Sequence, residues 1–450
     1  MKSGMGLLLA TLLSLALFNT ARAQTGEPKP LHLTVEEAVQ LALKHNHVVR
    51  ISELRVQESQ HAKDVARSGY FPKVTNESRV FHVTDTQFIA IAAGSLGNIN
   101  GTPIPGQSVI LSQGGKTFIT SGTGLAEPLT PLFTKVKPAN DIARADLDAN
   151  RANAKETANE IALKVHELYY GVLIAQLHRS ASQARIQAAE DLTSERTQEV
   201  KYGSALDQDL IESTAQTLEA KQDLLTTELQ LSDLTMELDD ALGLPLSTEL
   251  ELDPAVPGVE NGCKLEDCVK LALESHPEIV AARAEVSKAT AGVQLSKADY
   301  IPDIGVFARY SYQDQVPFLA RNFGTFGVEF TYDIFDGGHR RAAVQESDTR
   351  LAEAKENLAR VTDDVELQVQ IAYKKLQRTR EMVNVSQELL TLRSESNRVF
   401  AEQLQKGAAL HSQADRATAQ EFDAKTSLLR AQLDYIQARD EITQAMGLTP

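Results

Sequence analysis

Glu36-Glu37-Ala38-Val39-Gln40-Leu41-Ala42-Leu43 returns late in the chain as Glu266-Asp267-Cys268-Val269-Lys270-Leu271-Ala272-Leu273. Tyr70-Phe71-Pro72 returns as Tyr300-Ile301-Pro302, and both pairs stand 230 residues apart. Further on the offset falls to 204: Tyr169 matches Tyr373, Gly203-Ser204-Ala205-Leu206 matches Gly407-Ala408-Ala409-Leu410, and Ala241-Leu242-Gly243-Leu244 matches Ala445-Met446-Gly447-Leu448. The first copy therefore holds 26 extra residues between Pro72 and about Tyr169. Two copies of one unit imply a pseudo-symmetric object, with repeat one over 24–245, a Pro- and Gly-rich linker over 246–262 and repeat two over 263–450.

The chain opens with a secretory pattern: Lys2, an apolar run from Leu7 to Phe18, and the small-x-small site Ala21-Arg22-Ala23. Residues 1–23 are read as a signal peptide and kept out of the fold. Without them the formal charge moves from −16 to −18, because Lys2 and Arg22 leave and no acid does. Such a charge speaks against nucleic acid as a partner, which calls for a basic stripe. After the signal no run of 18 apolar residues occurs, so no transmembrane helix is expected. An exported soluble protein and a β-barrel, whose alternating strands escape hydropathy, both stay open.

His339 to Lys406 is 68 residues long without Gly or Pro. As a helix it would run roughly 100 Å, at about 1.5 Å per residue. Ala139 to Tyr202 matches it with only Gly171 inside, and the return segments Ser204–Leu242 and Ala408–Met446 are also free of breakers. Val344, Leu351, Leu358, Val365 and Ala372 stand seven apart, and the apolar line then shifts by four to Leu376, Val383 and Leu390. Heptads predict a coiled-coil seam, and a four-residue shift relaxes its supercoil. Gly203 and Gly407 fit glycine just past a helix end, so each long helix is predicted to fold back as a hairpin. Thr34 and Glu37 form a capping-box pattern, and Pro277 suits a first helical turn.

In two windows the period changes from 3.6 to 2, giving strand pairs at about 73–130 and 303–335. Ile304, Val306, Ala308, Tyr310 and Tyr312 alternate with Gly305, Phe307, Arg309, Ser311 and Gln313. Phe326, Val328, Phe330 and Tyr332 alternate with Gly327, Glu329, Thr331 and Asp333. The first set is expected to face lipid, and Arg309, Glu329, Thr331 and Asp333 a wet lumen. Tyr70–Phe133 and Tyr300–Phe335 hold 16 of the chain's 24 aromatics, as a membrane interface favours. In copy one Val80, Phe81, Val83, Phe88, Ile89 and Ile91 alternate less cleanly, and Gly94–Gly115 reads as a long exposed loop holding the extra residues. Four strands cannot close around a lumen, and open edges are not viable in lipid, so several copies must pool their strands; a homotrimer would supply twelve.

These motifs, in this order, resemble the TolC-like outer-membrane efflux proteins over essentially the whole mature chain. The resemblance rests on the duplicated Leu-Ala-Leu helices, Tyr70-Phe71-Pro72 and Tyr300-Ile301-Pro302, Ile334-Phe335-Asp336-Gly337-Gly338, the two tip glycines, and the Gly-Leu ends. It implies a mixed α/β membrane protein: a trimeric twelve-stranded outer-membrane barrel continued by a long periplasmic α-helical coiled-coil barrel. It also implies a passive exit duct rather than an enzyme, without cofactor, docked on a periplasmic adaptor (membrane fusion) protein and an inner-membrane pump. The gate and adaptor-docking tips would be Tyr202, Gly203, Ser204, Ala205 and Leu206 with Lys406, Gly407, Ala408, Ala409 and Leu410. Family members often carry acids six and nine positions after the second tip glycine. Here those positions are Gln413 and Arg416, so any entrance acids come from copy one, Asp209 and Glu212.

No catalytic grouping, nucleotide loop or metal pattern stands out. His45-x-His47 with His32 reads as solvated surface histidine. Cys263 and Cys268 align with Leu33 and Ala38, so a disulfide and a pair of buried small residues are both open. A structural or adhesive coiled-coil protein would share the helices but not the membrane strands. The cargo is not legible.

Overall fold

The computed structural model describes residues 31–85, 88–112, 116–246, 248–254, 264–314 and 320–449. The signal segment 1–23 and Cys263 lie outside them. Repeat one begins with β1 (Leu31–Leu33), α1 (Val35–His45) and α2 (His47–Ser68). Thr34 caps α1 as expected: its hydroxyl accepts from the Glu37 backbone at 3.2 Å, and the Glu37 carboxylate accepts from the Thr34 backbone at 3.0 Å. Then come β2 (Lys73–His82), β3 (Phe88–Ile91), β4 (Asn98–Ile99), β5 (Thr102–Pro103), β6 (Val109–Ser112) and β7 (Thr117–Pro128). A short α3 (Leu129–Thr134) leads into α4 (Val136–Lys201), and α5 (Asp207–Leu242) returns. The linker holds β8 (Leu250–Leu252), and repeat two runs α6 (Leu265–Ser275), α7 (Pro277–Ala298), β9 (Asp303–Asp314), β10 (Asn322–Thr331), α8 (His339–Gln405) and α9 (His411–Ala445).

The long helices are continuous, 66 residues in α4 and 67 in α8, each about 100 Å long. Pro138 sits in the first turn of α4, where no intrahelical donor is lost, so the helix starts earlier than its breaker-free stretch. Of the heptad line of α8, Val365, Ala372 and Val383 are buried and Val344, Leu351, Leu358, Leu376 and Leu390 half-buried; Val361, Val369 and Thr379 are buried beside it. On the sheet side of the molecule the helices lie in the order α2–α4–α7–α8; on the hairpin side the order is α5–α4–α9–α8. Copy one supplies one edge of each layer and copy two the other.

The core gathers at the waist, where short helices, long helices and the parallel pair β1–β8 meet. Tyr169 is 1% exposed, and its hydroxyl donates to the carbonyls of Leu33 and Asp253, 2.9 Å each. It fastens the two parallel strands, one from repeat one and one from the linker, onto α4. The linker is thus partly structured, contributing β8. A second cluster packs Cys268, Ile279, Val365, Val369 and Ile442 in repeat two. No described helix is long and apolar enough to cross a membrane.

The four main strands form one antiparallel sheet in the order β10–β9–β7–β2. Two sequence expectations change here. Gly94–Gly115 is not a plain loop: β3 pairs with β6 and β4 with β5, extending the β2–β7 hairpin. Phe88, Ile89 and Ile91 belong to that extension rather than to β2, because the main ladder ends at the His82–Thr117 pair. And β10 ends at Thr331, so Tyr332 and Asp333 lie beyond the ladder, in the turn that leads to α8.

Candidate conduit surfaces

Cross-strand partners of an antiparallel ladder share a face, so register assigns every strand residue. Phe326 pairs with Ala308, Val328 with Val306 and Phe330 with Ile304. The same face carries Tyr310, Tyr312, Leu125, Val74 and Val80. Phe326 is 88% exposed and Val328 70%, so this single chain leaves the apolar face bare. Midway up β2 and β7 the face turns polar, yet Asn76 donates to Thr123 at 2.8 Å and Ser78 bonds Ser121 at 2.9 Å. Their mutual bonds limit the desolvation penalty those groups would meet in hydrocarbon.

The opposite face joins Arg309 to Thr325 and Gly124, Glu329 to Gly305, and Thr331 to Asp303. Lys73, Thr75, Glu77 and Arg79 share it. The sequence signal in copy two extends to copy one once the register is known; imperfect alternation in β2 had hidden it. Strands of 10 to 12 residues with one apolar and one charged face match a membrane-spanning barrel strand. Both outer strands, β2 and β10, have a free edge among the described residues.

At the sheet's helix end, Ile334 and Phe335 are about 90% exposed, at 90% and 88%, and Phe71 and Phe133 are also bare. Arg340 lies over the rings of Tyr300 and Tyr332, at 5.6 and 5.1 Å, and its Nε donates to Asp336 at 2.6 Å. This places an aromatic collar where strands become helices, as an interfacial belt does.

At the far end both hairpin tips have one geometry. Gly203 has φ +75° and Gly407 φ +69°, the left-handed conformation that glycine adopts without a Cβ clash. Ser204 N–H donates to Glu199 C=O and Ala408 N–H to Gln403 C=O, 2.8 Å each, closing the same end motif on α4 and α8. Tyr202, Leu206 and Leu410 are exposed at 78, 69 and 56%, and Ser204, Lys406 and Ala408 are exposed too, while Ala205 and Ala409 are half-buried. The Asp209 carboxylate accepts from Leu206 N–H at 3.0 Å and the Gln413 amide oxygen from Leu410 N–H at 3.1 Å. Each caps its own helix. Glu212 is exposed and accepts from Gln216 at 3.3 Å. An acidic group the sequence did not single out lies nearby: Asp415 is half-buried, and burial with the adjacent Asp191 raises its pKa.

Sequence reasoning also missed the bare edges of the helical layers. On α5 Ile211, Leu218, Leu225, Leu229 and Met236 are all exposed, spaced by seven, seven, four and seven. On α8 Val385, Leu392 and Val399 are exposed at seven-residue steps beside Met382 and Leu389. These are second seams, legible as heptads but not assignable until the first seam was seen to be filled within the chain.

Two polar features lie at the waist. His166 and Asp440 are buried and bonded at 2.6 Å between α4 and α9. A cavity of about 320 Å³ is lined by Glu156, Glu160, His276, Glu278 and Glu441. Burial, with repulsion from Glu278 and Glu160, pushes Glu156 up to about 7. The folded state therefore favours the neutral acid. That stabilisation is complete below the ordinary value of 4.5 and is lost as pH rises through about 7. Glu156→Gln should leave the thermal midpoint unchanged at pH 4 and raise stability at pH 8 by about 1 kcal/mol, after allowance for partial exposure; melting curves at both pH values read this. Cys268 is fully buried and disulfide-bonded, whereas Cys263 is not described. Among the described residues no cluster suited to a metal occurs.

The fold and its two-faced sheet define an outer-membrane channel. Residues 268–448 match the model of the family described as Outer membrane efflux protein. The alkaline protease secretion protein AprF of Pseudomonas aeruginosa is 22% identical over 71% of this chain and 67% of its own. Protein CyaE of Bordetella pertussis is 27% identical over 47% of each chain, so this chain spans about half of that relative. The Campylobacter jejuni CmeC outer membrane channel superposes with a TM-score of 0.73 at 14% identity, covering 92% of this chain and 85% of that one. The family match lies in repeat two, and over 92% of its length the chain shares the fold of solved outer-membrane channels; its place is the outer membrane with a large periplasmic portion.

Proposed function

We propose that three copies of this chain close into one duct that passively carries cargo from a periplasmic adaptor and an inner-membrane pump to the exterior. The observation that carries this is the sheet with one apolar face and two free edges, β2 and β10, which lipid cannot tolerate unless neighbours pair them. Three sheets supply twelve strands. In the helical layers the same rotation brings α5 of one copy against α8 of the next. Their exposed seams match in period, and their charges are opposite. Counting Asp and Glu against Lys and Arg, α5 carries ten acids and one lysine, whereas residues 374–405 of α8 carry six basic residues and four acids. Head-to-tail contacts of this kind make a ring when the rotation closes.

The face with Arg309, Glu329 and Thr331 lines the lumen, and Asp333 sits at its lower rim; Phe326, Val328 and Phe330 meet lipid, with Tyr332 at the interface. The tips 202–206 and 406–410 gate the periplasmic end and receive the adaptor. Asp209 and Glu212 place acids near that entrance, although the capping bond ties Asp209 to its own helix. Of the two relatives, AprF is a protease secretion protein by name, which favours polypeptide cargo. Cross-linking Ser204→Cys to Ala408→Cys in the assembled protein should abolish export without dissociating the assembly. Undiminished export from fully cross-linked protein would overturn tip gating.

A further inference from the structure

The lumen-side face of the sheet holds a laid-down arginine. The Arg309 side chain crosses β7 over Gly122, where an added Cβ would fall within 2.4 Å of its Nε. It reaches the Glu77 carboxylate on β2 at 3.5 Å, and Glu77 also lies 3.7 Å from Arg79. Three charged groups from β9 and β2 thus form one row across β7, with two positive charges and one negative. Arg321, opposite Gln313 next to the row, adds a cation, which Asp314 on the other face meets at 3.3 Å. Toward the helix end, the same face carries one cation, Lys73, against two acids, Glu329 and Asp303. An otherwise acidic chain, at −16 overall, therefore concentrates positive charge on one level of one face.

Resting on the duct reading, we infer that Arg79, Glu77 and Arg309 form a cationic girdle in the outer half of the barrel that favours anionic groups of the cargo, carboxylate or phosphate. Three copies repeat the row around one lumen. Low-dielectric walls focus such a field, and salt screens it over about 8–10 Å. The bare backbone at Gly122 keeps the guanidinium flat, so the row narrows the lumen little while charging it.

Thiol reactivity reads the potential directly, because Cys268 offers no free thiol. The test uses full-length protein in lipid vesicles, with Ser311→Cys on the lumen face beside the row and Val328→Cys on the apolar face. Each is treated with negatively charged sulfonatoethyl and positively charged trimethylammonioethyl methanethiosulfonate. At low salt Ser311→Cys should react faster with the anionic reagent by about fivefold, after normalising to a free thiol in solution. Adding Arg309→Gln should remove that preference; Arg309→Lys should keep it, and Glu77→Gln should increase it. Val328→Cys should resist both reagents. Equal rates at Ser311→Cys, or a preference that survives Arg309→Gln, would overturn the girdle and leave the duct intact. Fast modification of Val328→Cys by both reagents would overturn the duct, and the girdle with it.

Discussion

Leu225→Asp with Leu229→Asp should leave each chain's helices formed but abolish its assembly. Both leucines are about two-thirds exposed on α5, at 66 and 63%, and neither fills the chain's own core. Removing them from an isolated chain costs little, since surface substitutions usually change stability by less than about 0.5 kcal/mol. At a packed seam each leucine contributes about 1.5–3 kcal/mol, and a carboxylate there must also be desolvated beside an already acidic helix. Three identical seams multiply the loss. Circular dichroism should keep the helical signal while light scattering in detergent reports single chains. Arg185→Ala, which breaks an internal α4–α9 ion pair at 2.7 Å, is the control and should leave assembly unchanged.

Tyr169→Ala should cost about 3–5 kcal/mol, the range for emptying an aromatic site in a core. The loss has two parts: the ring packs edge-on against Tyr170 at 5.5 Å, and the hydroxyl satisfies the Leu33 and Asp253 carbonyls. Tyr169→Phe keeps the packing and should cost only about 1–2 kcal/mol. Tyr373→Ala, the repeat-two counterpart, should cost clearly less, because Tyr373 is only half-buried. Denaturant titration of the three variants reads the order directly.

That contrast shows what the repeats conveyed and what they withheld. Equal offsets exposed two copies, and glycine and proline placement located four long helices and their turns, since backbone punctuation is local and acts alike in both copies. The strand pairs of copy two were readable because Ile304–Tyr312 and Phe326–Phe330 alternate strictly. Copy one was harder, because β2 mixes Val74 and Val80 with Asn76 and Ser78 on one face, and only cross-strand bonds to Ser121 and Thr123 explain those polar letters. The hairpin extension over 88–112 escaped notice because its strands are short and its Gly, Asn and Pro content reads as loop.

The site residues divide the same way. The tip glycines were placed by the breaker-free stretches they end, and the alternating aromatics and Arg309 by strand period, whereas the gating role of the tips came from the family resemblance. Contacts between residues far apart in sequence were not legible: His166 with Asp440, Arg309 with Glu77, and Tyr169 with Leu33 and Asp253. Neither was the role of Asp209, since an acid three residues into a helix looks the same whether it caps that helix or lines an entrance.

Everything rests on separate chains sharing one ring of membrane strands. The direct measurement is the protein mass of wild-type particles purified from the membrane, by light scattering corrected for bound detergent, together with their partition between membrane and water. Three chains per particle, released from the outer membrane only by detergent, is the expected result. A single chain that stays in aqueous buffer without detergent would contradict it.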